Sequence, residues 1–171
     1  LEVPRFDRIG PLGRLGVFSL RALDAEFVGD VAAPWPTLVR RLAADGHVEA
    51  NAIAGAALLW AFGTLIGNTD MHAGNLSFLS RLGRPYQLAP AYDMLPMAFA
   101  PSRSGALIDT LPPALLSSSV DAGAWHEALQ RAERFHALLR DCRGCSGRFL
   151  PCIGVIRRHI DEEGGRIGRR G

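Results

Sequence analysis

From Ala50 to Thr69 the chain carries no charged residue. That run constrains the fold more than any other feature. A helix without a polar face must be covered on all sides, by protein or by lipid. Its length nominally permits a membrane span. However, Ala and Gly dominate it, and these residues contribute little insertion free energy. The reading that follows is a helix buried on all sides in a mainly helical core. Gly67-Asn68 marks its C-terminus, and the polar stretch beyond must emerge beside that core.

Composition narrows the class. A chain of 171 residues, 48% hydrophobic and 21% charged, reads as one globular domain with its own core. Three Cys are too few for a disulfide framework and favour a reducing compartment. The N-terminal residues lack the apolar core of a signal peptide, so a cytoplasmic location is expected. A net charge of +2 leaves no footprint for nucleic acid, and no membrane partner is expected. All 19 basic residues are Arg. Chemistry that needs a lysine ammonium, such as a Schiff base or a phosphate-gripping Lys, cannot be completed by this chain alone.

The remaining elements follow from punctuation and periodicity. Residues 1–34 read as loop-rich, with Leu15–Leu20 as a strand. Pro34-Trp35-Pro36 opens a helix that runs to about Asp45 and stops at Gly46. Leu76–Leu79 and Tyr86–Ala89 flank a turn and read as a hairpin. Asp121 caps a helix over 122–140, with Trp125, Leu129, Ala132, Phe135 and Leu139 on one stripe. A last helix is expected over about 152–163, followed by a frayed tail at 164–171. The fold class is mainly α with a small β-hairpin, an α+β arrangement.

The chemistry-bearing stretch is Gly67-Asn68-Thr69-Asp70-Met71-His72-Ala73-Gly74-Asn75, followed by Ala91-Tyr92-Asp93. Asn75 stands five positions after Asp70, and Asp93 eighteen after Asn75. A hairpin between them brings the ends of that interval together. One amide and two carboxylates can then converge. Mg²⁺ is a hard cation held by one or two carboxylates, an amide oxygen and phosphate oxygens. The remaining carboxylate is free to accept a proton from an incoming hydroxyl. Protein kinases use this order: a catalytic-loop Asp, a metal-binding Asn five residues on, then a second metal-binding Asp. The plainer reading is a polar loop capping a buried helix.

Asn68–Ser77 followed by Leu88–Asp93 closely resembles the HipA family of bacterial toxin kinases. Gly74 and the stretch Leu20–Phe27 look most like its YjjJ-type branch. Pro4-Arg5-Phe6-Asp7-Arg8 is similar to the family's hinge segment. The resemblance is specific over residues 3–27 and 50–96.

It implies a kinase-type C-lobe and a serine/threonine protein kinase that uses ATP and Mg²⁺ in a type II toxin–antitoxin system. By motif, Asp70 would be the catalytic base, and Asn75 and Asp93 the metal ligands. His72 occupies the place where ordinary protein kinases put a Lys near the transferring phosphate. In the family the hinge holds adenine by backbone groups, matched here by the Pro4 carbonyl and the Phe6 amide. Gly74 departs from the Lys often found there. Residues 1–9 would be the hinge, so the chain is expected to be nearly all C-lobe. The glycine-rich loop and nucleotide-pairing Lys would belong to an N-lobe, and this chain alone is expected to hold half an active site. Partners implied are a protein substrate, translation factors among them in the family, and an antitoxin protein.

Other readings stay open. A small-molecule phosphotransferase shares the Asp-to-Asn spacing. A non-catalytic fragment that binds a partner protein is another. Cys142-Arg143-Gly144-Cys145, with Cys152, His136 and His159, also offers ligand types that zinc accepts.

Overall fold

The computed structural model describes residues 4–169. These residues form five α-helices and five short strands. They fall into two compact units, one of residues up to 57 together with 72–93, the other of 58–71 together with 94 onward.

Antiparallel pairing organises the first unit. Strands β1 (Arg8–Ile9) and β2 (Gly13–Arg14) make a small ribbon, with Arg8 opposite Arg14. Strands β3 (Gly16–Ser19), β4 (Ser77–Ser80) and β5 (Gln87–Leu88) make a three-stranded sheet in that order. The expected hairpin is β4–β5, and the Leu15–Leu20 run supplies the third strand. Phe18 pairs with Phe78, which pairs in turn with Leu88, and Phe78 is fully buried.

Helix α1 (Leu20–Phe27) follows β3 without a loop. Sequence reasoning expects a strand to Leu20 and no helix before Pro34. A helix forms because the Ser19 hydroxyl accepts the Ala22 amide at 3.2 Å, a standard N-cap. Leu20 and Leu23 then share a helical face and are buried. Helix α2 (Trp35–Ala44) has Pro36 in its first turn, and Gly46 just past it takes φ +72°. Its buried Trp35, Leu38, Val39 and Leu42 form one stripe, and each such aliphatic side chain contributes about 1.5–3 kcal/mol on burial.

Helix α3 (Ala52–Leu65) is the uncharged run. Its residues up to Ala57 belong to the first unit and the rest to the second. It is not buried on all sides: Ala54 is exposed, and Ile53, Leu58, Leu59 and Trp60 are half-buried. What the sequence spends on this helix is small residues, and these permit close approach. A Cβ on Gly55 would lie 2.5 Å from Leu88 Cδ2, so the bare glycine leaves room for the Leu88 side chain of β5 against the helix. Among the described residues no helix is long and apolar enough to cross a membrane.

The second unit is helical. Helix α4 (Ala122–Arg140) begins as expected, with Asp121 Oδ1 accepting the Ala124 amide at 2.8 Å. Trp125, Ala128 and Ala132 are its buried stripe. It packs against α5 (Leu150–Gly168). Helix α5 outruns its expected end at 163, so residues 164–168 are helix and not a frayed tail. The reason is tertiary. Glu163 is 1% exposed and accepts the Ala114 amide at 3.0 Å. Arg166 pairs with Glu163 at 2.6 Å and donates to the Ala114 carbonyl at 3.0 Å. Ile167 is fully buried. These ties outweigh the roughly 1 kcal/mol that each helical Gly costs at Gly164 and Gly165. Residues 1–3 of the expected hinge and 170–171 of the expected tail lie outside the described residues.

Candidate active site

Asp70 belongs to the second unit. Helix α3 ends in a Schellman turn: Gly67 takes φ +75°, its amide reaches the Thr64 carbonyl, and the Asn68 amide reaches the Gly63 carbonyl at 2.8 Å. The chain leaves the helix sharply there, as a bare Gly-Asn pair allows. Asn68 is 6% exposed, and its side chain works at both ends. Its Oδ1 accepts the Asp70 amide at 2.9 Å, and its Nδ2 donates to Met94 Sδ at 3.3 Å. Gly63 lies beneath. A Cβ there would collide with Met71 Sδ and come within 3.1 Å of Met94 Sδ. So the residue after Asp70 and the residue after Asp93 share one seat on a helical glycine. Asp70 itself is exposed.

The first unit holds His72, Asn75 and Asp93. A single 3-10 turn, Ala73–Asn75, starts after His72. The Asn75 amide donates to the His72 carbonyl at 3.0 Å. His72 Nδ1 accepts the Gly74 amide at 3.0 Å, which leaves the neutral ring's proton on Nε2. A Cβ on residue 74 would lie 2.8 Å from Nδ1 and Cε1 of that ring. Glycine at 74 and the His72 ring position therefore belong together.

Tyr92 closes the site. Its hydroxyl donates to the Gly74 carbonyl at 2.8 Å, so the Ser77 hydroxyl, 2.7 Å away, donates to it. Gly74 precedes Asn75, and Tyr92 precedes Asp93. One phenol thus joins the two stretches that carry the expected metal ligands. Asp93 follows with φ +53°, a left-handed conformation that costs a non-glycine residue about 1 kcal/mol or more.

The hinge segment reaches the same tyrosine. The Phe6 ring stacks on Tyr92 with centroids 6.1 Å apart. Arg5 grips Asp7 through two hydrogen bonds of 2.8 and 2.7 Å. Those bonds hold the Asp7 carboxyl below its usual range. The Asp7 carbonyl accepts the Leu15 amide at 2.9 Å, anchoring the segment beside β3. Pro4 is exposed.

The structure therefore gathers the Asn75, Asp93 and Phe6 segments around Tyr92 in the first unit. Asp70 stands in the second unit, on the loop fixed by Asn68 and Met71. Sequence reasoning missed Tyr92, Asn68 and Gly63 as parts of this arrangement. The signals were present: a tyrosine next to Asp93, and a glycine inside a helix that it weakens.

Cys142 is exposed, Cys145 half-buried and Cys152 buried, all as free thiols. Burial pushes the Cys152 thiol up. Among the described residues no three His, Cys, Asp or Glu side chains are grouped to hold a metal ion, so the zinc reading is set aside.

Residues 1–145 match the HipA-like C-terminal domain family. Toxin YjjJ of Escherichia coli (strain K12) is 41% identical over 165 residues, which is 95% of this chain and 34% of that protein. The chain spans about a third of the length of this curated relative. The order Asp70, Asn75, Asp93 and the match over most of the chain agree, and the chain belongs to the HipA-like C-terminal domain family.

Proposed function

We propose that this chain is the C-lobe of a serine/threonine protein kinase that acts as the toxin of a type II toxin–antitoxin system in the cytoplasm. The observation that carries the reading is the Tyr92 tie, which links the Asn75 and Asp93 stretches across eighteen positions. A loop that only caps a helix needs no phenol joining it to the stretch that carries Asp93.

In this reading Asp70 orients the acceptor hydroxyl and takes its proton as it attacks, a role typically worth 10²–10⁴-fold. Asn75 and Asp93 hold Mg²⁺. The donor set fits: one carboxylate and one amide oxygen are hard ligands, and Mg²⁺ retains waters and phosphate oxygens for the rest. Bound Mg-ATP supplies the γ-phosphoryl group, with the metal neutralising its charge. His72, with its proton on Nε2, offers a donor toward developing negative charge. The Pro4 carbonyl and Phe6 amide receive the adenine edge. A nucleotide-pairing Lys must come from polypeptide outside this Lys-free sequence. A cognate antitoxin is the expected binding partner, and the substrate is a protein.

The test is phosphoryl transfer by protein made from the complete reading frame. Incubation with Mg-ATP and a bacterial lysate should give phosphoserine or phosphothreonine on a protein, located by mass spectrometry. Asp70→Asn should remove it. Phosphorylation of small molecules alone, or no nucleotide binding at all, would overturn the kinase reading.

A further inference from the structure

The second unit contains a cavity of about 260 Å³ next to the Asp70 loop. Its floor is Trp60 and Thr64 of α3 and His159 of α5. The segment from Leu111 to Leu115 also lines it, as do Ala98, Thr69 and Met71. That segment is held firmly. Ala114 is pinned through its amide by buried Glu163 and through its carbonyl by Arg166. Leu111 packs so closely on Gly67 that a Cβ there would lie 3.1 Å from it. The lining is mainly apolar and carries no carboxylate or guanidinium. Burial keeps the His159 imidazole below its usual pKa, so it too is uncharged near neutral pH.

We infer that this cavity takes an apolar side chain of the substrate protein, Leu, Met, Ile or Phe, within two residues of the hydroxyl that receives the phosphoryl group. The inference rests on the kinase reading, and placement selects the occupant. Thr69 and Met71 are the chain neighbours of Asp70, about 3.8 Å away by Cα. An extended peptide advances about 3.3 Å per residue. Asp70 itself does not line the cavity but is flanked by two residues that do, so a chain presenting its hydroxyl to Asp70 has a neighbouring side chain within reach of it. The volume lies just below that of sites for drug-sized ligands, about 300–1,000 Å³, and suits one large side chain. A charged occupant would be left without a counter-ion.

Protein from the complete reading frame would be given Mg-ATP and a peptide library with a fixed Ser and randomised flanks. At one position within two residues of Ser, Leu, Met, Ile or Phe should exceed Ala by about ten-fold. Filling the cavity from its lining residue Ala98, by Ala98→Leu, should reduce that ratio to about two-fold or less. Leu115→Ser, at an 87% exposed lining position that folding does not depend on, should lower it several-fold. Independently of catalysis, peptides carrying photo-leucine at the preferred position should cross-link to Trp60, Leu111 or Leu115. Phosphorylated peptides with no apolar preference, or a preference that both variants leave intact, would overturn the inference and leave the kinase reading standing. Absence of peptide phosphorylation by an enzyme that phosphorylates small molecules would overturn both. Cross-links confined to residues outside the cavity would also reject it.

Discussion

The two units hold their shares of the motif by different physical means. In the first, the Asn75 and Asp93 stretches are joined by directional hydrogen bonds from Tyr92 and Ser77. In the second, the Asp70 loop rests on steric fit, with Met71 and Met94 against Gly63, and on one buried Asn68. Hydrogen bonds fix orientation at modest net energy, about 0.5–1.5 kcal/mol each. Packing against a bare helix fixes position, and it fails abruptly when atoms are added. The difference suits the proposed roles. Metal ligands need aim, whereas a base that must meet an external hydroxyl needs a fixed loop with its carboxylate left exposed.

The largest effect on stability is expected at the packed seat. Gly63→Leu should cost about 1–3 kcal/mol in chemical denaturation and displace the Asp70 loop. An unchanged midpoint would mean the two methionines are not seated there. Tyr92→Phe breaks the other side of the comparison. It should cost about 0.5–1.5 kcal/mol and weaken Mg²⁺ dependence of nucleotide binding more than it weakens the fold. Equal loss in both would make Tyr92 a packing residue only.

A third test uses pH on the whole chain to probe a residue of the second unit. Burial lowers the His159 pKa in the folded state relative to the unfolded chain. The unfolded chain then binds the proton first, so stability falls as pH drops below about 6.5, with at most about 1.4 kcal/mol per pH unit from His159 and a further contribution of the same sign from His136, whose pKa burial also lowers. His159→Gln should reduce that slope and leave the His136 part, as read by urea midpoints between pH 7 and 5. The smallest effect belongs to Gly74→Ala. It should change stability by under about 0.5 kcal/mol, as for most surface changes, yet move the His72 ring, visible as a shifted imidazole resonance. An unmoved ring would break the link between Gly74 and His72.

Much of this was legible in the sequence, for identifiable reasons. Helix α4 begins and ends where a capping Asp121 and a 3.6-residue stripe place it. The hairpin and the order Asp70, Asn75, Asp93 depend on spacing within one short stretch, and spacing is what a sequence records. Helix α1 was hidden because Leu20 closes a plausible strand and opens a helix at once, and a single Ser19 hydroxyl decides between them. The length of α5 was hidden because Glu163 and Arg166 act on Ala114, some fifty residues away. Two consecutive glycines point locally to a helix end, and a long-range tie overrules them. Tyr92 was missed for the same reason, since its partners lie across the hairpin.

The proposed division of labour between Asp70 and the Asn75–Asp93 pair is tested most directly by Mg-ATP calorimetry on protein from the complete reading frame. Asp93→Asn should raise the Mg²⁺ requirement for ATP binding by about ten-fold or more, whereas Asp70→Asn should leave binding within about two-fold and remove phosphoryl transfer. Equal losses of Mg-ATP binding in both variants, or none in either, would contradict that division.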